Sequence, residues 1–180
     1  LNFERYEDAF ASYDKAIKIK PNGYQAWINR SDALFYLERY EDAIASFDKA
    51  IEIKPYDHQV WSNQGAALLN LEKYEDAITS YEKAIEIKPG DYSAWFHRGL
   101  ALGSLGRYED AIASYDKAIK IKPDEYIIWG QRCIILCDNL RKYNDAIASF
   151  DKIIEIKPDE YIAWHNRGNA LNHLGRYKDD

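Results

Sequence analysis

Five side chains that can exchange hydrogen bonds with a peptide backbone recur two residues after a tryptophan: Asn29, Asn63, His97, Gln131 and Asn166. A side-chain amide both donates and accepts hydrogen bonds, so it can hold a main chain whatever that chain's own side chains are. Positions on the same helical faces add two further amides and four apolar groups: Gln25, Gln59, Ile28, Phe35, Tyr36 and Phe96. These residues are the candidate peptide-binding set.

An internal repeat positions these residues. The prolines are Pro21, Pro55, Pro89, Pro123 and Pro158, and the tryptophans are Trp27, Trp61, Trp95, Trp129 and Trp164. Both series advance by 34, 34, 34 and 35 residues, and near copies of one segment, such as YEDAITSYEKAIEIKP from Tyr74, precede the prolines. A fixed period of this length indicates a repeat architecture. The extra residue falls between Leu136 and Leu140, where it is tolerated if a helix ends there.

Each repeat predicts two helices and no strand. Trp61, Gly65 and Leu68 are spaced to share one face of the first helix, and the segment from Tyr74 has the same period. Proline then ends the second helix, because it cannot continue the amide ladder. Plausible caps are Asp57, Asp91 and Asp124 at helix starts and Gly106 and Gly175 at helix ends.

The repeat resembles the tetratricopeptide repeat (TPR) family. The residues that carry the resemblance in one repeat are Trp95, Gly99, Leu102, Ala111, Tyr115, Ala118 and Pro123. The resemblance implies an all-α solenoid, a right-handed superhelix of stacked antiparallel helix pairs. Three features depart from the family pattern: arginine or glutamine replaces the usual leucine three residues after each tryptophan, Ser31 and Cys133 replace the small glycine, and Ile153 replaces an alanine. We expect looser or altered packing around Ser31 and Cys133.

The register predicts four complete repeats between two partial ones. The complete repeats are 24–57, 58–91, 92–125 and 126–160, the last with the extra residue. Residues 1–23 are a partial repeat with only the second helix, and residues 161–180 supply a first helix. With no Met, even at position 1, we expect a piece of a longer array, whose apolar ends favour end-to-end self-association.

Composition narrows the function classes. The net charge of −6 disfavours nucleic-acid binding, and no apolar run approaches the roughly 20 residues that span a bilayer. Cys133 and Cys137 do not make a disulfide framework, and the four histidines show no metal-site spacing, so we expect neither metal nor cofactor. No signal peptide opens the sequence, and a reduced cytoplasmic location is the default expectation.

In the TPR family the first helices line the concave face. The face of the candidate residues also carries the other groove positions: Asp32, Ser62, Ala66, Leu69, Asn70, Ser93, Leu100, Ile127, Gly130, Ile134, Cys137, Asp138, Ile162, His165, Asn169, Asn172 and His173. The amide row resembles the asparagine ladder in the superhelical TPR region of O-GlcNAc transferase, which holds extended peptides. The alternative is that solvent-facing positions simply drift. None of the groove positions is Lys or Arg, which disfavours the carboxylate clamp of the chaperone-binding TPRs.

Arginines flank this face at Arg30, Arg98, Arg132 and Arg167. They could form an anion-binding strip, or each could pair with a carboxylate of the preceding second helix, such as Asp48, Glu82, Asp116 or Asp151. We favour the pairing because half-buried charges need partners. Cys133 and Cys137, four residues apart on one predicted helix, are best explained as small buried groups.

The sequence therefore favours a protein–protein interaction scaffold or adaptor that binds a partner peptide in its concave groove, and not an enzyme. Two alternatives stay open. One is the recruiting or regulatory arm of a larger enzyme whose catalytic domain lies elsewhere. The other is an architectural array that self-assembles. No phosphate loop, nucleophile elbow or dinucleotide fingerprint is present.

Overall fold

The computed structural model describes residues 3–175, which contain α-helices, one π-helical turn and no strand. The α-helices are α1 Phe3–Ile19, α2 Tyr24–Tyr36, α3 Tyr40–Ile53, α4 His58–Asn70, α5 Tyr74–Ile87, α6 Tyr92–Ser104, α7 Tyr108–Ile121, α8 Tyr126–Ile134, α9 Tyr143–Ile156 and α10 Tyr161–His173. The π-turn, Ile135–Asn139, continues α8. The predicted all-α class of stacked helix pairs is confirmed.

The chain divides between Pro89 and Gly90 into two compact units. Helices α1–α5 form the first unit and α6–α10 the second, and within each unit consecutive helices contact one another. Because the connections are short, neighbouring helices run antiparallel. The predicted repeat limits at the outer edges fall on residues 1–2 and 176–180, which lie outside the described residues.

Each unit has its own apolar core. In the first unit Leu34, Phe47 and Val60 are buried together with small alanines of the second helices. In the second unit the core around α8, α9 and α10 contains Leu136 and Phe150. The alanines let the helices approach closely, and the larger groups fill the space between them.

The helix starts are capped only in part as predicted. Asp57 accepts a hydrogen bond from the Gln59 N–H at 2.9 Å, and Asp91 accepts one from the Ser93 N–H at 3.1 Å. The prediction for Asp124 is wrong: α8 begins after Glu125, whose side chain makes no capping bond. Asp124 lies one residue after its proline, whereas Asp57 and Asp91 lie two residues after theirs, so Glu125 occupies the cap position.

The turns between the paired helices need a left-handed residue. Gly106 and Gly175 have φ of +74° and +70°, which confirms both predicted glycine caps. At equivalent positions Glu38, Glu72 and Arg141 adopt φ of +59°, +58° and +52°. Non-glycine residues pay a steric cost there, and sequence alone gave no signal for them.

A hydrogen bond links the recurring tryptophans and prolines. The indole N–H of Trp27 donates to the Pro21 carbonyl oxygen at 2.7 Å, and that of Trp129 donates to Pro123 at 2.9 Å. The same bond recurs for Trp61 and Trp164. The indole therefore satisfies a carbonyl just past the preceding helix, which explains why the two residue types recur six residues apart.

The small residues four positions after Trp61 and Trp95 are each matched to one aromatic ring. A Cβ on Gly99 would lie 2.5 Å from a ring carbon of Tyr115, and one on Gly65 would lie 2.9 Å from the Tyr81 ring. Where the small residue is Ser31 or Cys133, the ring at the equivalent position is the Phe47 or Phe150 ring. Both small residues are buried. The packing there is therefore altered, but it is not loose enough to expose these side chains.

The π-turn absorbs the extra residue of the fourth complete repeat. In α6 the Leu105 N–H donates to the Ala101 oxygen, whereas the equivalent Leu140 N–H reaches back five residues to the Ile135 oxygen at 3.0 Å. The insertion lies where the sequence predicts it, between Leu136 and Leu140. The helix widens to take the residue instead of ending before it.

Candidate functional site

The arginine row belongs to the scaffold. The Nε of Arg30, Arg132 and Arg167 lies 2.6, 2.8 and 2.6 Å from a carboxylate oxygen of Asp14, Asp116 and Asp151 respectively. Arg132 also donates to the Ser149 hydroxyl at 2.5 Å. Because these guanidinium groups already have carboxylate and hydroxyl partners, the pairing interpretation explains them better than an anion-binding strip does.

In the first unit the two ladder amides have protein partners. The Gln25 amide donates to the Asn29 side-chain oxygen at 2.8 Å. Asn63 donates to the Asp32 carboxylate at 3.4 Å. Burial raises the pKa of the half-buried Asp32 carboxyl, and the Asn63 hydrogen bond partly offsets that rise.

The apolar candidates of the first unit contribute mainly to packing. Ile28 and Phe35 lie against the core, and the Phe35 ring meets the Tyr40 ring edge-on at 5.3 Å. Tyr36 is exposed and stacks on Tyr6 at 4.9 Å. The Gln59 side chain is exposed at the start of α4.

In the second unit α6 presents a filled surface. The Phe96 ring lies 6.0 Å from the Tyr115 ring, and it meets the His97 ring edge-on at 5.1 Å. His97 Nδ1 lies 2.7 Å from the Ser93 carbonyl oxygen. The side chains of both α6 candidates are therefore held against their own helix pair.

Gln131 and Asn166 face a different environment. Both line a half-open cavity of about 1020 Å³ that α8, the π-turn, α9 and α10 enclose. Their side chains are half-buried, and neither amide makes a hydrogen bond to any residue of 3–175. They are ladder amides with unused hydrogen-bonding capacity.

The sequence explains why these two amides are unpartnered. Four residues before Asn29 is Gln25, and the residue that accepts from Asn63 is Asp32, five residues after the tryptophan of the preceding repeat. At both kinds of position the later repeats carry only hydrocarbon. Four residues before Gln131 and Asn166 are Ile127 and Ile162 respectively. Five residues after the tryptophan of the preceding repeat are Leu100 and Ile134. Hydrocarbon cannot exchange hydrogen bonds with an amide, so both amides remain available.

The floor of the cavity is apolar and buried, and its upper walls carry exposed aliphatic side chains together with the exposed amides of Asn169 and Asn172. Phe150, Ile153 and Cys133 form the floor with two alanines of α10. The walls carry Ile127, Ile134 and Ile162, which are 48%, 51% and 62% exposed. Single exposed aliphatic residues are ordinary, but a group of them around a cavity marks a surface suited to binding.

Charged residues lie at the two ends of the cavity. At the end formed by the start of α10, Glu160 accepts from Lys157 Nζ at 2.6 Å. At the other end are Asp138 of the π-turn and Arg141. His173 stacks there on Tyr143 at 4.9 Å with nearly parallel rings. Between these ends the lining is uncharged.

Arg141 lines the cavity although the sequence pattern did not predict it. It lies in the turn after α8 and therefore outside the helical pattern that located the other positions. A one-residue insertion that widens the helix next to a left-handed turn is the signal that could have drawn attention to it. The groove helices themselves still contribute no lysine or arginine to the cavity.

The two thiols are unsuited to metal or nucleophilic chemistry. Burial, reinforced by the nearby Cys137, raises the pKa of Cys133 to about 12. Burial and the Asp138 charge raise the pKa of Cys137. Both stay protonated at neutral pH, whereas a metal ligand or nucleophile must be a thiolate. Among residues 3–175 no three His, Cys, Asp or Glu side chains cluster closely enough to hold a metal ion.

Within the described part of the chain, every helix is too short or too polar to span a bilayer. Apolar side chains are nevertheless exposed on α10, where Tyr161 and Trp164 face outward. End-to-end association through such surfaces stays a prediction.

Comparison with known proteins places the chain in a family. A tetratricopeptide repeat model matches residues 1–58 and 63–126, and a second model of the same description matches 46–79. A protein prenyltransferase alpha subunit repeat model matches residues 143–174. No curated protein sequence matches the chain.

Several solved structures share the fold. YrrB, described as a TPR protein with an unusual peptide-binding site, is 21% identical with a TM-score of 0.77, over 92% of this chain and 85% of its own. MamA (41-end) from Desulfovibrio magneticus RS-1 is 24% identical with a TM-score of 0.78, over 87% and 88%.

A more distant structural match is the first TPR of Spaghetti (RPAP3), described as bound to the HSP90 peptide SRMEEVD. It is 20% identical with a TM-score of 0.61, over 62% of this chain and 89% of its own. Identities this low show the fold alone. The repeat models, however, cover well over half of the sequence. The chain therefore belongs to the tetratricopeptide repeat family.

Proposed function

We propose that this chain is a protein-interaction module that holds an extended segment of a partner protein in the cavity between α8 and α10. The observation that carries the proposal is the pair of unpartnered amides, Gln131 and Asn166, on the wall of a cavity of about 1020 Å³. Ligand sites are concave and mostly apolar, with a few polar groups that fix orientation. The lining of this cavity combines a buried apolar floor with polar groups, among them the two amides.

The partner's main chain is the natural match for the two amides. An extended peptide offers one N–H and one C=O per residue, and these groups point alternately to the two sides of the chain. In a segment that is not paired in a sheet they are free to accept and donate hydrogen bonds. Each amide can donate to a carbonyl and accept from an N–H of such a segment. Recognition through the main chain leaves the choice of partner to the other contacts.

Two structural neighbours support the peptide class. The YrrB structure is described by its peptide-binding site, and the RPAP3 repeat is described with a bound peptide. The RPAP3 peptide, SRMEEVD, is acidic. The present cavity has Asp138 and Glu160 at its ends and only Arg141 as an arginine or lysine, so it favours a neutral segment over an acidic one.

The proposal assigns recognition, and no catalysis, to this part of the chain. An adaptor and the recruiting arm of a larger enzyme would use the same cavity in the same way. The match of residues 143–174 to a prenyltransferase alpha subunit repeat adds a second helical-repeat likeness. It covers α9 and α10, whose cavity-facing groups include apolar side chains and amides.

Selection from a random peptide library tests the proposal. The protein is used to select from phage-displayed random dodecapeptides, and enriched sequences are synthesised with blocked ends and measured by isothermal titration calorimetry. The double variant Gln131→Ala, Asn166→Ala should bind them at least tenfold more weakly, since each lost hydrogen bond contributes about 0.5–1.5 kcal/mol.

The matched control removes two exposed amides outside the cavity, Asn22→Ala and Asn144→Ala. Its dissociation constant should stay within twofold of the wild-type value, and circular dichroism should show equal helix content for all three proteins. Failure to enrich any peptide, or equal affinities for the wild type and the cavity variant, contradicts the proposed function.

A further inference from the structure

We infer that the cavity selects its partner by one bulky, uncharged, apolar side chain, which inserts beside Gly130 onto the floor formed by Phe150 and Ile153. The inference rests on the proposed function and adds to it the class of segment that is bound. The amides hold a main chain of any sequence, whereas this insertion distinguishes one sequence from another.

The cavity exists because a ring present in the preceding repeat is missing. In α6, one residue after the tryptophan, Phe96 places its ring 6.0 Å from the Tyr115 ring and fills the surface. The equivalent residue of α8 is Gly130. A Cβ on Gly130 would meet no atom within 4 Å. The protein thus leaves free in one repeat the space that a phenylalanine occupies in the repeat before it.

The floor beneath this space is suited to hydrocarbon. Cys133 and Phe150 stand where the preceding pair has Gly99 and Tyr115, so no phenol hydroxyl enters the floor. The Cys133 S–H points to the Ala146 carbonyl oxygen at 3.7 Å. An inserted aliphatic or aromatic group would therefore lose no hydrogen bond to the floor, while a polar one would be left without a partner there.

Charge restricts the inserted group further. The walls beside Gly130 are Ile127, Ile134 and Ile162, and the charged residues stand only at the two ends of the cavity. A lysine or glutamate side chain at the centre would lose hydration and find no opposite charge within reach. The complementary occupant is a partner segment with an apolar residue at its centre, flanked by residues whose main chain meets Gln131 and Asn166.

The π-turn gives the cavity its far wall. It carries Cys137 and Asp138, both of which line the cavity, and among residues 3–175 it occurs only in the repeat with the inserted residue. Insertion of one residue into a helix commonly occurs at functional positions. The insertion, the missing ring and the altered floor pair therefore coincide in one repeat.

The test restores the missing ring. Gly130→Phe copies Phe96 into the cavity, at a position where the side chain has open space. Gly168→Phe is the matched control, because its Cβ would also meet no atom within 4 Å and it lies on α10 without lining the cavity. Both variants make the same exchange within a helix, so effects on helix stability are comparable.

Random dodecapeptides on phage are selected in parallel against the wild type, Gly130→Phe and Gly168→Phe. We expect the wild type and Gly168→Phe to enrich one position for Leu, Ile, Phe, Met, Tyr or Trp, with no charged residue beside it. Gly130→Phe should bind the resulting peptides at least tenfold more weakly by calorimetry, and replacing the apolar position by Ser in the peptide should cause a similar loss.

The outcomes separate the two proposals. Peptides whose binding needs Gln131 and Asn166, but which show no apolar preference and bind Gly130→Phe as tightly as the wild type, overturn this inference and leave the proposed function intact. Peptides that bind independently of the two amides contradict the proposed function. If Gly130→Phe fails to fold, the replacement of the peptide's enriched apolar residue by Ser decides the question with the wild-type protein alone. An unchanged affinity for the wild type then overturns the inference.

Discussion

The α6–α7 pair and the α8–α9 pair share one scaffold and differ in one surface. In both pairs an arginine of the first helix donates to a serine of the second, Arg98 to Ser114 and Arg132 to Ser149. The second helices are near copies in sequence. The surfaces differ because the first helices differ, so the second helices maintain the fold while the first helices vary the lining.

Three differences in the sequence distinguish the two pairs: one exchanged residue, one exchanged contact and one insertion. Phe96 becomes Gly130, the Gly99–Tyr115 contact becomes Cys133–Phe150, and a regular helix end becomes a π-turn. Each change alone is compatible with the repeat. Together they coincide with the cavity, and hydrocarbon side chains at the positions equivalent to Gln25 and Asp32 leave the two amides without protein partners.

The largest difference in stability should separate two single variants that each add one methyl group to a helical glycine, Gly99→Ala and Gly130→Ala. Gly99→Ala places a Cβ 2.5 Å from the buried Tyr115 ring, so we expect it to destabilise the protein by about 1–3 kcal/mol through overpacking. Gly130→Ala has open space and should stabilise the protein by up to about 1 kcal/mol through helix propensity. Urea unfolding followed by circular dichroism measures both.

Opposite signs for these two variants would sharpen the comparison, because the same chemical change is made in equivalent helices. Equal destabilisation by both would mean that Gly130 is packed in solution as tightly as Gly99. That result would remove the physical basis for a cavity between α8 and α10. Gly168→Ala, also with open space, serves as the reference for helix propensity.

A smaller effect on stability is expected at the turn after α6 and at the turn after α8 and its π-turn. Gly106 has φ of +74° and Arg141 has φ of +52°. Exchange of Arg141 for Gly should stabilise the protein by about 1 kcal/mol, and Gly106→Arg should destabilise it by a similar amount, because only glycine adopts this conformation without steric cost. Thermal unfolding by calorimetry measures the two shifts, and a loss of stability in Arg141→Gly would contradict the account.

The helices could be predicted from the sequence because their signals are local. Proline stops a helix, and the tryptophan six residues later marks the next one through the hydrogen bond that joins them, as in Trp129 and Pro123. Five exact spacings leave little freedom for the register. The N-cap prediction at Asp124 failed because it followed residue type: the cap position, two residues after the proline, carries Glu125.

The site could be predicted only in part. Helical periodicity placed Gln131 and Asn166 on the face that lines the cavity, but it treated all five ladder positions as equivalent. Whether an amide is available depends on a partner in the same helix, as Gln25 is for Asn29, or in the preceding repeat, as Asp32 is for Asn63. Such partners become visible only when side chains are placed in space.

Side-chain amide NMR tests the central claim most directly. In a ¹H–¹⁵N spectrum of the protein, the NH₂ resonances of Gln131 and Asn166 are followed during titration with one enriched, end-blocked dodecapeptide. The account predicts that both resonances shift and exchange more slowly with water, while those of Asn22 and Asn144 stay unchanged. Saturation of binding with no shift in Gln131 or Asn166 would contradict the claim that these amides hold the partner's main chain.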